Sequence, residues 1–140
     1  MPQLTTLTLE TFDRDFPAEA RLVLLSGDIG CGKLYALQQH LTRRGVKHQV
    51  VYCASQSIID VEMSLRQSLT VLGIFKDLKV LVLDEIELCN DLVLEAFKRI
   101  VDEFQGDQVI LAVHGTTDFM RLLTRFPDIE RAVIMKTDSL

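Results

Sequence analysis

The sequence lacks the features that would place it in a membrane or in an oxidising compartment. No apolar run approaches the roughly 18–20 residues of a membrane span, and the N-terminal MPQLTTLTLETFDRD has no basic stretch followed by an apolar one. The three cysteines, Cys31, Cys53 and Cys89, are odd in number and widely spaced, with no CxxC pair and no neighbouring histidine array. That pattern argues against a zinc site or a disulfide framework and agrees with reduced thiols. A cytoplasmic protein is expected. An excess of positive charge is missing too, since 15 Lys and Arg face 20 Asp and Glu, so the chain does not hold nucleic acid simply by being basic. The one small basic cluster, Arg43, Arg44, Lys47 and His48, reads as cations closing a helix before Gly45, with contact to a phosphate backbone or an acidic partner as the alternative. No repeat, low-complexity tract or Pro/Gly/Ser linker divides the chain, so residues 1–140 are expected to form one domain.

What the sequence does contain is an alternation of two periodicities. RLVLLSG (Arg21 to Gly27) is a short apolar run suited to a buried parallel strand. After it, Leu34, Leu37 and Leu41 fall on one helical face that stops at Gly45. HQVVYCAS (His48 to Ser55) reads as a second strand, and residues 60–73 as a helix with Asp60 as cap. LKVLVLDE (Leu78 to Glu85) is the most hydrophobic strand. The helix after it carries Val93, Phe97, Ile100, Val101 and Phe104 on one face, with Asn90 or Asp91 as its cap. QVILAVHGTT, a short helix DFMRLLTRF and a last strand RAVIMKT complete the pattern. Five such alternations predict an α/β three-layer sandwich: a five-stranded, mostly parallel sheet with helices on both faces. Residues 1–20 are left as an edge strand or an arm. Ligands of such sheets bind where the strands end.

Two motifs fall at those ends. In GDIGCGKL (Gly27, Asp28, Ile29, Gly30, Cys31, Gly32, Lys33, Leu34) the glycines clear space for backbone to curl around phosphate oxygens, Lys33 supplies a point charge, and the following helix aims free N–H groups at the same place. Following a strand and opening a helix is the context this loop needs; the plain alternative is a glycine-rich turn with an exposed lysine. Asp84 and Glu85 end the most buried strand. An aspartate there suits a magnesium ion and a neighbouring glutamate suits a base for an attacking water, whereas the alternative is an acidic flank for the next helix. Leu34 stands where a serine or threonine hydroxyl ordinarily reaches the metal. Its helical phase matches Leu37 and Leu41, which predicts a side chain drawn into the core, weaker magnesium binding and slow hydrolysis.

GDIGCGK resembles the first nucleotide motif of AAA+ ATPases, a branch of the P-loop NTPases, and VLVLDE their second; the likeness runs from about Arg21 to Lys136. The resemblance implies a RecA/AAA+-like core binding ATP and Mg2+, with Thr116, and Thr117 next in line, as the polar sensor of the γ-phosphate. It also implies an arginine finger, either Arg125 or Arg131, acting on a neighbouring subunit, hence a homo-oligomer or a partner ATPase. No counterpart of the family's small helical lid is legible after the last strand. The resulting expectation is a slow or assembly-dependent ATPase serving a larger complex, such as a DNA-associated loader or a transposition or plasmid system. A nucleotide-binding interaction module without turnover is the alternative, and a small-molecule phosphotransferase ranks behind both. His114 reads as a packed or hydrogen-bonded histidine, Cys31 as a small filler, His40 as a helix-surface residue and His48 as the start of a strand.

Overall fold

The structure, a computed structural model, describes residues 2–28, 30–55, 78–115 and 119–136. Its strands are β1 (Gln3–Leu7), β2 (Leu22–Gly27), β3 (His48–Tyr52), β4 (Val80–Asp84), β5 (Gln108–His114) and β6 (Arg131–Met135). The helices are α1 (Phe12–Asp15), α2 (Lys33–Arg43), α3 (Asp91–Glu103) and α4 (Phe119–Arg125). The expected helix over 60–73 lies outside the described residues.

The strands form one sheet in the order β1-β6-β2-β5-β4-β3, and every pairing is parallel. Among the described residues the expected five strands are six, because the N-terminal segment is an edge strand rather than a loose arm. It pairs with β6 from Gln3 opposite Arg131 to Leu7 opposite Met135. Its alternation is hard to read because only Leu7 reaches the core, while Leu4 and Leu9 stay exposed.

Two apolar layers follow from the period-2 alternation of the strands. Val23, Leu25, Val82 and Ile110 face α2 and meet its Leu37 and Leu41. Leu24, Leu83, Leu111 and Val113 face the other way and meet Leu94, Phe97 and Ile100 of α3 and Leu122 of α4. With both faces covered, the central strands are near-continuous apolar runs with polar residues only toward their ends, and β4 is buried at every position. Of the two cap candidates for α3, Asn90 takes the role: its side-chain oxygen accepts from the Val93 N–H at 3.0 Å.

His40 departs from expectation. It is buried, not on the helix surface, because the single turn α1 packs on α2 and sets the imidazole beside the rings of Phe12 and Phe16, with centroids 5.5 and 5.3 Å away. Its Nδ1 lies 2.8 Å from Asp13, which also takes Arg43 of the basic cluster at 2.7 Å. His48 opens β3, as expected.

Candidate functional site

The parallel register decides which residues share the carboxyl rim. Gly27 at the end of β2 lies opposite His114 at the end of β5, and Asp84 at the end of β4 lies opposite Ala112. The chain after β2 thus turns beside the acids that end β4, with β5 between them.

The loop from Gly27 to Leu34 has the backbone its glycines permit. Gly30 and Gly32 sit in the left-handed region, at φ 84° and 82°, where a side chain would be strained. A Cβ on Gly27 would come within 2.7 Å of the Cys31 sulfur, so this glycine and the buried Cys31 fit together. The Cys31 N–H closes a turn onto the Asp28 carbonyl at 3.1 Å. Helix α2 then starts at Lys33, and its first turn leaves N–H groups directed back at the loop. On the β6 side a hollow of about 380 Å³ is lined by Ser26, Gly27, Asp28, Gly115, Ile134, Met135 and Lys136. Ile29 lies outside the described residues.

Lys33 is only 5% exposed, and its ammonium donates to His114 Nδ1 at 2.7 Å. An ammonium has no lone pair to offer, so this contact assigns the imidazole proton to Nε2. Nε2 lies 4.0 Å from a Glu85 carboxylate oxygen. Asp84 is also buried at 5% exposure, and its Oδ1 has no hydrogen-bond partner. Burial pushes the Asp84 carboxyl above its ordinary value, against the pull of the Lys33 charge. A buried carboxylate oxygen with unused lone pairs fits a hydrated magnesium ion.

Glu85 carries φ 59°, the one positive φ at a non-glycine position among the described residues, while its N–H bonds the Ala112 carbonyl at 3.0 Å. The strained turn takes the chain off β4 into a 3-10 turn, Ile86–Leu88. That turn brings back Glu87, a residue without a role in the sequence reading. Glu87 is buried, accepts the His114 backbone N–H at 3.0 Å, and leaves its other oxygen without a partner. Burial raises its carboxyl above the usual range.

Lys33, His114, Asp84 and Glu85 therefore gather at one rim, with Glu87 holding the end of β5. His114 is hydrogen-bonded, one of the two readings its sequence context allowed, and it stands as the bridge between the loop and the acids. The signal was its position at the last pairing of β5, opposite Gly27, which depends on register. Ser26 Oγ donates to the Gly115 carbonyl and the Gly115 N–H bonds Gly27 O at 3.0 Å, so the ends of β2 and β5 are tied directly. This commits the Ser26 hydroxyl. Leu34 packs, half-buried, against the α2-side core, as its helical phase implied. Tyr35, the next residue, is exposed.

The remaining candidates stand elsewhere. Arg125 pairs with Asp91 and Glu95 of α3, each at 3.1 Å. Arg131 opens β6 at the opposite end of the sheet from the loop, where it bonds Glu19 and Thr5. Neither joins the Lys33 cluster of its own chain. Thr116 and Thr117 lie outside the described residues.

No protein-family model and no curated protein matches the chain. Among solved structures it is similar to a Rhizobiales Trip13, an AAA+ ATPase, with a TM-score of 0.50 and 14% identity over 85% of this chain and 46% of that one. The chain spans about half the length of that neighbour. At this identity the likeness establishes the fold: a RecA/AAA+-like three-layer α/β sandwich. No helix among the described residues is long and apolar enough to cross a membrane.

Proposed function

We propose that the chain binds ATP with its phosphates in the loop from Gly27 to Leu34 and hydrolyses it slowly, or only when assembled, in the service of a larger complex. One observation carries this reading: the buried ammonium of Lys33 and the carboxylates of Asp84 and Glu85 converge on one rim, linked through His114. Loop N–H groups and Lys33 would bind the phosphates, with Asp84 holding magnesium, whose charge would neutralise them. Glu85 would take the proton of an attacking water. The half-buried Leu34 offers the metal no oxygen, which supports slow turnover. Thr116 as γ-phosphate sensor, and Arg125 or Arg131 as a finger reaching a second subunit or a partner ATPase, complete the site on this reading. A DNA-associated loader or transposition role is the setting we favour.

A nucleotide-binding module without turnover is the second reading, favoured by Leu34. ATP affinity and steady-state hydrolysis of wild type, Lys33→Ala and Glu85→Gln, measured with and without DNA, separate the two. Binding lost in Lys33→Ala, with turnover alone lost in Glu85→Gln, is the expected result. Wild-type binding without turnover in any condition favours the module, and absence of ATP binding by wild type ends both readings.

A further inference from the structure

An odd number of scattered cysteines argues against a disulfide framework, yet the topology makes a pair of two of them. β3 and β4 are neighbours with Tyr52 opposite Asp84, so the turns that follow these strands lie side by side. Cys53 opens the first, a 3-10 turn over Cys53–Ser55, and Cys89 closes the second, Ile86–Leu88; the two turns are in contact. The Cys89 thiol donates to the Cys53 carbonyl oxygen at 3.6 Å, and the Cys53 thiol donates to the Val51 carbonyl at 3.7 Å, so Cys89 lies directly against residue 53. Both belong to the α3-side core, whereas Cys31 belongs to the α2-side core, across the sheet. The odd cysteine is thereby separated from the pair.

We infer that Cys53 and Cys89 form an oxidisable dithiol, a modification site beside the rim that closes to an intramolecular disulfide with a peroxide as oxidant. Cys89 is the attacking sulfur and Cys53 the resolving one. Cys89 keeps 7% exposure where Cys53 has none. The neighbouring Cys53 side chain holds the Cys89 thiol below its ordinary value, while burial pushes Cys53 up. The lower value gives Cys89 the larger thiolate fraction.

The Cys89 thiolate attacks one peroxide oxygen, the O–O bond breaks, and the departing hydroxide takes a proton to leave as water. The resulting sulfenic acid is attacked by the Cys53 sulfur, the S–S bond forms, and a second water leaves with the Cys53 proton. Two thiols are oxidised and one peroxide is reduced. The bridge would tie the end of β3 to the turn that carries Glu87, and through Glu87 to the end of β5.

The three cysteines fall on three different tryptic peptides, residues 22–33, 48–66 and 80–98, so connectivity is directly readable. The folded chain is treated with hydrogen peroxide, free thiols are alkylated, and the digest is mapped without reductant. The expected product joins 48–66 to 80–98 with loss of two hydrogens, is reversed by dithiothreitol, and leaves Cys31 alkylated. Cys31→Ser should retain the product and Cys89→Ala abolish it. The inference is overturned if Cys53 and Cys89 stay alkylated in the folded chain, if the links involve Cys31, or if Cys89 stops at the sulfinic acid. Wild-type mapping alone decides the matter should a variant fail to fold.

Discussion

Replacing Leu34 by threonine sets a gain in chemistry against a loss in packing, and the structure gives both a size. Leu34 is half-buried against the α2-side core. Full burial of a leucine contributes about 1.5–3 kcal/mol; the partly buried Leu34 contributes less than that and threonine keeps one methyl, so the packing loss is about 1 kcal/mol. Exchanging leucine for a β-branched residue in a helix costs roughly 0.4 kcal/mol more. The expected loss, about 1.5 kcal/mol, corresponds to a melting temperature lower by about 3–6 °C for a chain of this size. Against it stands a hydroxyl at the step of α2 where it would reach magnesium, one residue after Lys33. Correct placement of the metal is worth about two orders of magnitude in rate, or about 3 kcal/mol of barrier. Thermal melts and steady-state ATP hydrolysis across a magnesium titration read the two effects separately. Leu34→Thr should melt earlier yet turn over faster, with half-saturation at lower magnesium. Leu34→Ala, which loses the packing without gaining a hydroxyl, should only melt earlier. Equal rates in wild type and Leu34→Thr, or an equal gain in Leu34→Ala, would refute the assignment of slow turnover to the missing oxygen.

The other expectations concern the groups around the rim. In His114→Ala the Lys33 ammonium loses its acceptor at 2.7 Å. Hydrogen bonds to charged groups contribute about 1.5–3 kcal/mol, so ATP affinity by calorimetry should fall about tenfold or more; a rise would show that His114 competes with phosphate for the lysine. Glu87, raised by burial, binds protons more readily in the folded than in the unfolded chain. Its contribution to stability is fully present below the ordinary glutamate value and is lost as pH rises through the elevated one. Glu87→Gln should therefore flatten the decline in stability from acidic to neutral pH in denaturant titrations, and an unchanged slope would refute this. If Arg131 or Arg125 acts on a neighbouring subunit, mixing its alanine variant with Glu85→Gln should restore turnover that neither has alone. No recovery with either arginine would remove the finger assignment.

Local chemistry made much of this protein legible. The apolar runs of β2, β4 and β5, the glycines at 30 and 32, the cap signal around Asn90 and the leucine phase of α2 are each dictated by a few neighbouring residues, since a strand's alternation and a left-handed glycine need no distant partner. The loop and the Asp84–Glu85 pair followed from the same local signals, placed at strand ends by the rule that parallel sheets bind ligands there. Residues whose roles come from partners far along the chain were not legible. His114 gains its place between Lys33 and Glu85 only because β5 runs between β2 and β4. Glu87 is recruited only because the strained Glu85 turn folds it back over the end of β5. His40 is buried only because α1 packs on α2. Cys53 and Cys89 look like unrelated thiols until β3 and β4 pair. The sequence by itself determined the strands β2 to β6, the helices α2 to α4 and which residue types the rim would carry, because those are short-range preferences. Strand order and register decided which of those side chains meet, because a hydrogen bond or a thiol pair depends on distances of a few ångströms that chain spacing does not set.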